Sequence, residues 1–287
     1  MDMTDRLYTP RLVTPQEEVE DIEIDLLLEG IFRVYGYDFR DYAASSLRRR
    51  IWHRIHALRL PSVSSLQDKV LHDPMEMKAL IGSLSVSVTE MFRDPELFQL
   101  FRKEVVPYLA ALPQIRIWHA GCSTGEEVLS LAILLHEEGL LDRARLYATD
   151  MNEDSLEQAR KGLIPLRKMR DYTRNYLTAG GSGEFSEYYT VKSDYAVFQP
   201  ELLQNAVFAQ HNLVTDQSFN EFHVIFCRNV LIYFNKELQD QVHRLIYESL
   251  SLKGYLALGN RESINFTHHS DSYQPLNASE RLYRKIR

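Results

Sequence analysis

"IRIWHAGCSTGEEVLSLAILL", residues 115–135, decides how the whole chain is read. An apolar run, 115–120, ends in Gly121-Cys122-Ser123-Thr124-Gly125 and passes directly into a helical pattern that opens with Glu126 and Glu127. That is a buried strand, a tight loop and a helix, the first unit of a strand–helix–strand architecture. Two chemistries share this stretch. As G-x-S-x-G, the loop presents Ser123 as a hydrolase nucleophile. As a close-approach loop, its glycines make room for a bound nucleoside.

A nucleophilic serine needs a base that is itself oriented by a carboxylate. The order Ser123, Asp150, His211 matches a hydrolase order. Its placement does not. Asp150 closes the strand directly after the loop, no HG-type oxyanion segment precedes it, and two glutamates would sit beside the developing oxyanion. The nucleoside reading uses the same residues, with Asp150 about 25 positions beyond the loop as the acid for ribose hydroxyls. The loop is not G-x-G-x-x-G, and the glutamates after it disfavour a pyrophosphate. The absence of a Walker lysine leaves ATP unsupported. A cationic nucleoside fits this charge: S-adenosylmethionine (SAM), with a sulfonium and an ammonium group.

Outward from the loop, "RLYATD" (145–150), "AVFAQHNL" (206–213), "FHVIFCRNV" (222–230) and "GYLALGN" (254–260) read as further strands, with "SERLYRKI" (279–286) as a closing one. Helices over 152–162 and 236–250 alternate with them, which predicts a doubly wound, parallel α/β sheet. Residues 163–205 are too long for a connection and are expected to form an inserted antiparallel hairpin or three strands. Before Pro113 the pattern is helical. "RDPELFQLF" (93–101) predicts a helix capped by Asp94 with Pro95 at its first position. The expected organisation is an all-helical domain over 1–83 and a sheet domain over 84–287.

At 287 residues and 45% hydrophobic content, the chain can bury a core without disulfide or metal staples. A net charge of −7 argues against nucleic-acid binding, and two cysteines are too few for a secreted disulfide framework. The acidic N-terminal stretch lacks the apolar core of a signal peptide, and no run is long enough to span a membrane. A soluble, cytoplasmic monomer is the expectation. Seven acids from Glu17 to Glu29 precede seven arginines between Arg33 and Arg59, which face only Asp38 and Asp41. In "SSLRRRIWHRIHALRL" Leu47, Ile51, Ile55 and Leu58 share a helical face, with Ser45 or Ser46 as its cap. The arginines then form a solvated surface or dock an acidic partner.

"TEMFRDPELF", "IWHAGCSTGEE", "ATD", "HNL", "VIFCRNVLIYF" and "LKGYLALGNRES" together resemble the CheR family, the chemotaxis receptor glutamate O-methyltransferases, over residues 20–287. The resemblance implies a Rossmann-like SAM-dependent methyltransferase fold. It implies methylation of receptor glutamates to methyl esters, with S-adenosylhomocysteine (SAH) as product. Ser87 (where the family has Asn), Thr89, Arg93, Gly121, Glu126, Asp150, Asn212, Leu213, Arg228 and Asn229 are implied at the cofactor. Arg228 and Tyr233 are implied at methyl transfer. Arg48, Arg49, Arg50, Arg54 and Arg59 are implied in docking the cytoplasmic region of a receptor, and the insertion in holding a receptor C-terminal peptide in some members. No metal is expected. Cys122 and Cys227, with His119 nearby, read as packing residues, and His268-His269 have no assigned role. A methyltransferase for another substrate and a non-catalytic SAM sensor are the alternatives.

Overall fold

The computed structural model describes residues 15–85, 89–277 and 279–287. The first four helices are α1 (Pro15–Tyr35), α2 (Ala44–Leu58), α3 (Val63–His72) and α4 (Pro74–Leu84). Apolar residues at helical spacing, Ile24, Leu27, Leu28 and Ile31 on α1 and Leu47, Ile51 and Ile55 on α2, bury with Leu66 and Leu80 in a core of their own. Ser62 caps α3 and Asp73 caps α4, each side chain accepting a backbone N–H. The cap expected for α2 is not made. Ala43 holds that position, and Ser46 lies inside the first turn, its Oγ accepting from Arg50 Nε at 3.2 Å.

Two shorter helices follow, α5 (Pro95–Glu104) and α6 (Val106–Ala110), and then β1 (Ile115–Ala120), α7 (Glu126–Glu137) and β2 (Ala144–Asp150). Asp94 precedes α5 in a left-handed conformation and makes no side-chain cap, contrary to the sequence expectation. Its carboxylate accepts from the buried Arg228 guanidinium instead, a charge-assisted bond. After α8 (Glu153–Lys161) comes the insertion: β3 (Leu163–Pro165), α9 (Met169–Thr178), β4 (Tyr189–Lys192) and β5 (Tyr195–Phe198). Its strands form an antiparallel sheet in the order β3-β5-β4, so the three-strand alternative holds; α9 was not foreseen. The buried Glu137 pins this insertion to the body, accepting from Tyr176 Oη (2.5 Å), Tyr188 Oη (3.1 Å) and the Ser182 N–H (3.0 Å).

The chain ends with β6 (Ala206–Gln210), β7 (Phe222–Cys227), α10 (Lys236–Ser249), β8 (Leu250–Leu258), β9 (Tyr273–Asn277) and β10 (Leu282–Lys285). The main sheet runs β6-β2-β1-β7-β8-β10-β9. Its first five strands are parallel; β10 runs antiparallel to β8, and the edge strand β9 pairs antiparallel with β10. Helices cover both faces, which is why β1 and β7 are almost continuously buried. Strand order reverses beside β1, and the crevice at the C-terminal ends of β1, β2 and β7 is therefore where a ligand belongs. The helical part closes one side of that crevice. Ala43 N–H donates to the Tyr233 carbonyl at 2.8 Å and Asn235 N–H to the Asp41 carbonyl at 2.9 Å. No helix among the described residues is long and apolar enough to cross a membrane.

Candidate functional site

A cleft of about 1010 Å3, counting the solvent at its open side, lies at that crevice. The loop after β1, the ends of β2 and β6, the segment after β7 and the stretch before α5 line it, together with Tyr42 and Ser85 from the helical part. The glycines have specific reasons to be there. Gly121 takes φ +82°, and a Cβ on it would stand 2.5 Å from Val230 Cγ2. Gly125 takes φ +90°, and a Cβ would meet that of Ala159 at 2.8 Å. The N–H groups of Gly121 and Cys122 both donate to the Thr149 carbonyl at 2.8 Å, folding the loop back over β2.

Asp150 lies at the floor. Its Oδ2 accepts the Ser123 N–H at 2.8 Å and its Oδ1 the Asn152 N–H at 2.9 Å. Burial pushes its carboxyl above the ordinary range, against the pull of these backbone donors. Ser123 is thus engaged through its backbone. Its Oγ and His211 Nδ1 are buried with no partner among the described residues, while His211 Nε2 meets the Gln217 carbonyl at 3.1 Å. The serine–histidine contact of a hydrolase is not made.

The two glutamates that open α7 part company, because adjacent helical residues point about 100° apart. Glu126, expected at the cofactor, is not part of the cleft wall. Its buried carboxylate takes the Thr124 Oγ1 donor at 2.6 Å and Lys168 Nζ at 3.3 Å. Glu127 lines the cleft instead, accepting from His119 Nδ1 at 2.9 Å and Arg228 Nη1 at 3.0 Å. Burial acts to raise its carboxyl, but the His119 hydrogen bond and the Arg228 charge prevail and hold it below the usual carboxylate range.

Arg228 lines the cleft with its head committed elsewhere. Besides Glu127, its Nη2 donates to the Arg93 carbonyl (3.0 Å) and to Asp94 Oδ2 (2.5 Å), and the side chain is 2% exposed. Only its buried Nε is without a partner among the described residues. Thr89, Arg93, Gly121, Asn212, Leu213, Asn229 and Tyr233 also line the cleft. Ser87 lies outside the described residues. Burial raises the Tyr233 phenol above its ordinary range, against the opposing charges of Arg50 and Arg93. The Arg50 guanidinium stands 5.3 Å from the Tyr233 ring centre, and with Arg49, His53, Gly82 and Ser83 it lines a second cavity. Arg48 pairs with Glu20 and Asp21, and Arg54 with Glu76, whereas Arg49, Arg50 and Arg59 have no carboxylate partner among the described residues.

Sequence reasoning missed one more group. Glu262 is 4% exposed, and its carboxylate accepts four backbone N–H groups: Asn229 (2.9 Å) and Gly259 (2.6 Å) on Oε2, Val230 and Leu231 (2.8 Å each) on Oε1. It holds the left-handed turn at Asn229 (φ +61°), from which the segment to Tyr233 departs. Its only visible signal was an acid inside "LALGNRES", right after a buried strand. The orphaned polar atoms at Ser123, His211 and Arg228, the side-chain-free cradle at Gly121 and two half-buried acids, Glu127 and Asp150, fit a nucleoside with a positive end. Cys122 and Cys227 are buried free thiols, pushed up by burial, and no three His, Cys, Asp or Glu side chains converge on a metal position among the described residues.

Residues 87–281 match a family described as CheR methyltransferase, SAM binding domain, and residues 22–85 one described as CheR methyltransferase, all-alpha domain. The chain is similar to a Pseudomonas putida protein provisionally named methyltransferase Cher3, 49% identical over 269 residues, covering 94% of this chain and 98% of that one. It is also similar to chemotaxis protein methyltransferase 2 of Pseudomonas aeruginosa, 30% identical over 251 residues, 84% and 86% of the two chains. Among solved structures it overlies the magnesium protoporphyrin IX methyltransferase of Synechocystis PCC 6803 with bound SAM, at TM-score 0.36 and 14% identity, covering 97% of this chain and 100% of that one.

Proposed function

The chain belongs to the CheR methyltransferase family and is a SAM-dependent methyltransferase; from that premise we propose that its acceptors are glutamate side chains on the cytoplasmic region of chemoreceptors, which leave as methyl esters. The observation that carries this reading is a pair of half-buried acids, Glu127 and Asp150, lining one cleft at the point where strand order reverses. When bound there, SAM supplies an electrophilic methyl group on a sulfonium. We assign Asp150 to the ribose hydroxyls, Asn212 and Leu213 to the base, and Glu127 to the positive end of the cofactor, in place of Glu126, which the resemblance implied at the cofactor.

An acceptor glutamate is already ionised at neutral pH, its ordinary pKa being about 4.3, so the site needs no general base. Charge disappears as anion and sulfonium combine, which a dry pocket favours, and positioning is the remaining task. Tyr233, at the cleft and under Arg50, is the residue we assign to orienting the acceptor. Arg228 is better suited to fixing Glu127 and the Arg93 carbonyl than to reaching an incoming carboxylate, since both of its terminal nitrogens are engaged.

In this reading residues 1–83 dock the receptor and residues 84–287 carry out transfer, and the protein acts as a monomer in the cytoplasm. Of the five docking arginines expected, Arg49 and Arg50 adjoin the cleft and meet an acidic helix, while Arg48 and Arg54 brace the helical part itself. A receptor C-terminal peptide would add as a strand to β4 or β3 at an edge of the inserted sheet. Transfer of labelled methyl from SAM to a purified receptor fragment tests the proposal. Label released as methanol by mild alkali is the expected result; alkali-stable label, or none, overturns it.

A further inference from the structure

We infer that His119 is a positioning residue for the cofactor: from behind the cleft wall it holds Glu127 in its ionised, cleft-facing orientation and so sets the local charge that selects a positive donor. This deepens the assignment of SAM to the cleft and rests on it.

His119 is the penultimate residue of β1 and is wholly buried. Its ring stacks on Phe226 of the neighbouring strand, centres 5.0 Å apart and planes 16° apart, which leaves it little freedom except within its own plane. In that plane Nδ1 lies 2.9 Å from Glu127 Oε1, while Nε2 has no partner among the described residues. A ring N–H on Nδ1 satisfies this geometry by donating to the Glu127 carboxylate.

The consequence is one of placement. Glu127 also accepts from Arg228, which in turn donates to Asp94. Each carboxylate oxygen of Glu127 thus has its own donor, His119 on Oε1 and Arg228 on Oε2, and the pair fixes the charge on the cleft wall. His119 itself touches no part of the cleft, which Glu127 lines and His119 does not.

The test is calorimetric titration with SAM and with SAH for the wild type, His119→Asn and His119→Phe. Asparagine keeps an N–H near the Nδ1 position; phenylalanine keeps the stacking and loses the donor. His119→Phe should bind SAM at least about tenfold more weakly, by loss of a charge-assisted hydrogen bond to Glu127, and SAH, which lacks the sulfonium charge, by less than about threefold. His119→Asn should bind both within about threefold of wild type. A phenylalanine variant that binds SAM like wild type, or that loses SAM and SAH equally, overturns the inference. If thermal melting shows that the phenylalanine variant is unfolded, the asparagine variant decides alone: retained affinity for both ligands supports the inference, and an equal loss of about tenfold for both overturns it. Failure of the wild type to bind either SAM or SAH at any pH would instead remove the cofactor assignment beneath it.

Discussion

Replacing Glu262 by Gln is the perturbation whose cost can be worked most directly from the structure. The wild-type carboxylate presents two oxygens to four backbone donors, two on each oxygen, at 2.6 to 2.9 Å. Glutamine keeps one oxygen and puts an NH2 where the other stood. Whichever way the amide turns, two buried N–H groups lose their acceptor and face a donor. At about 1–3 kcal/mol for each stranded group, the loss is about 2–6 kcal/mol. At roughly 2–3 °C per kcal/mol for a chain of this size, the melting temperature should fall by about 5–15 °C. Both pairs of donors border the segment that carries Asn229 and leads to Tyr233, so SAM affinity and turnover should fall with it. Differential scanning calorimetry followed by SAM titration reads both effects. A Gln variant that melts within about 1 °C of wild type and turns over normally would show that these four bonds do not hold the loop.

Further outcomes follow from the same geometry. Tyr233→Phe should lower kcat about tenfold or more, the worth of one hydrogen bond to a charged acceptor, while SAM affinity by titration stays within about twofold; lost SAM binding would contradict its placement at the acceptor. Gly125→Ala should destabilise the fold by about 1–3 kcal/mol, measured by urea unfolding, because φ is +90° and the new Cβ would meet Ala159 at 2.8 Å. Receptor methylation should fall steeply with added salt, since Arg49 and Arg50 are partly or fully exposed; a flat response would remove electrostatic docking from the account.

The parts legible in the sequence were those set by local pattern. "IRIWHA" and "FHVIFC" are buried strands because their apolar runs are continuous, and the loop at Gly121 needs glycine for its φ of +82°. What escaped was decided by partners far along the chain. Asp94 has the sequence of an N-cap, but Arg228, 134 positions away, takes its carboxylate. Glu126 and Glu127 are indistinguishable in one dimension; Lys168, from the insertion, claims one, and His119 and Arg228 claim the other. The docking arginines split for the same reason, two being neutralised by acids on α1 and α4. Helix α9 falls in an insertion expected to form strands only; its Tyr172 and Tyr176 lie on one helical face and are buried.

The central physical claim is that Glu127 and Asp150 make the cleft select a positively charged nucleoside. Titration of wild type, Glu127→Gln and Asp150→Asn with SAM, SAH and NAD tests it most directly. The account predicts that the wild type binds SAM and SAH and not NAD, and that each amide variant binds SAM at least about tenfold more weakly, as expected when a charged partner becomes neutral. Uptake of NAD by the wild type, or amide variants that bind SAM as tightly as the parent, would contradict it.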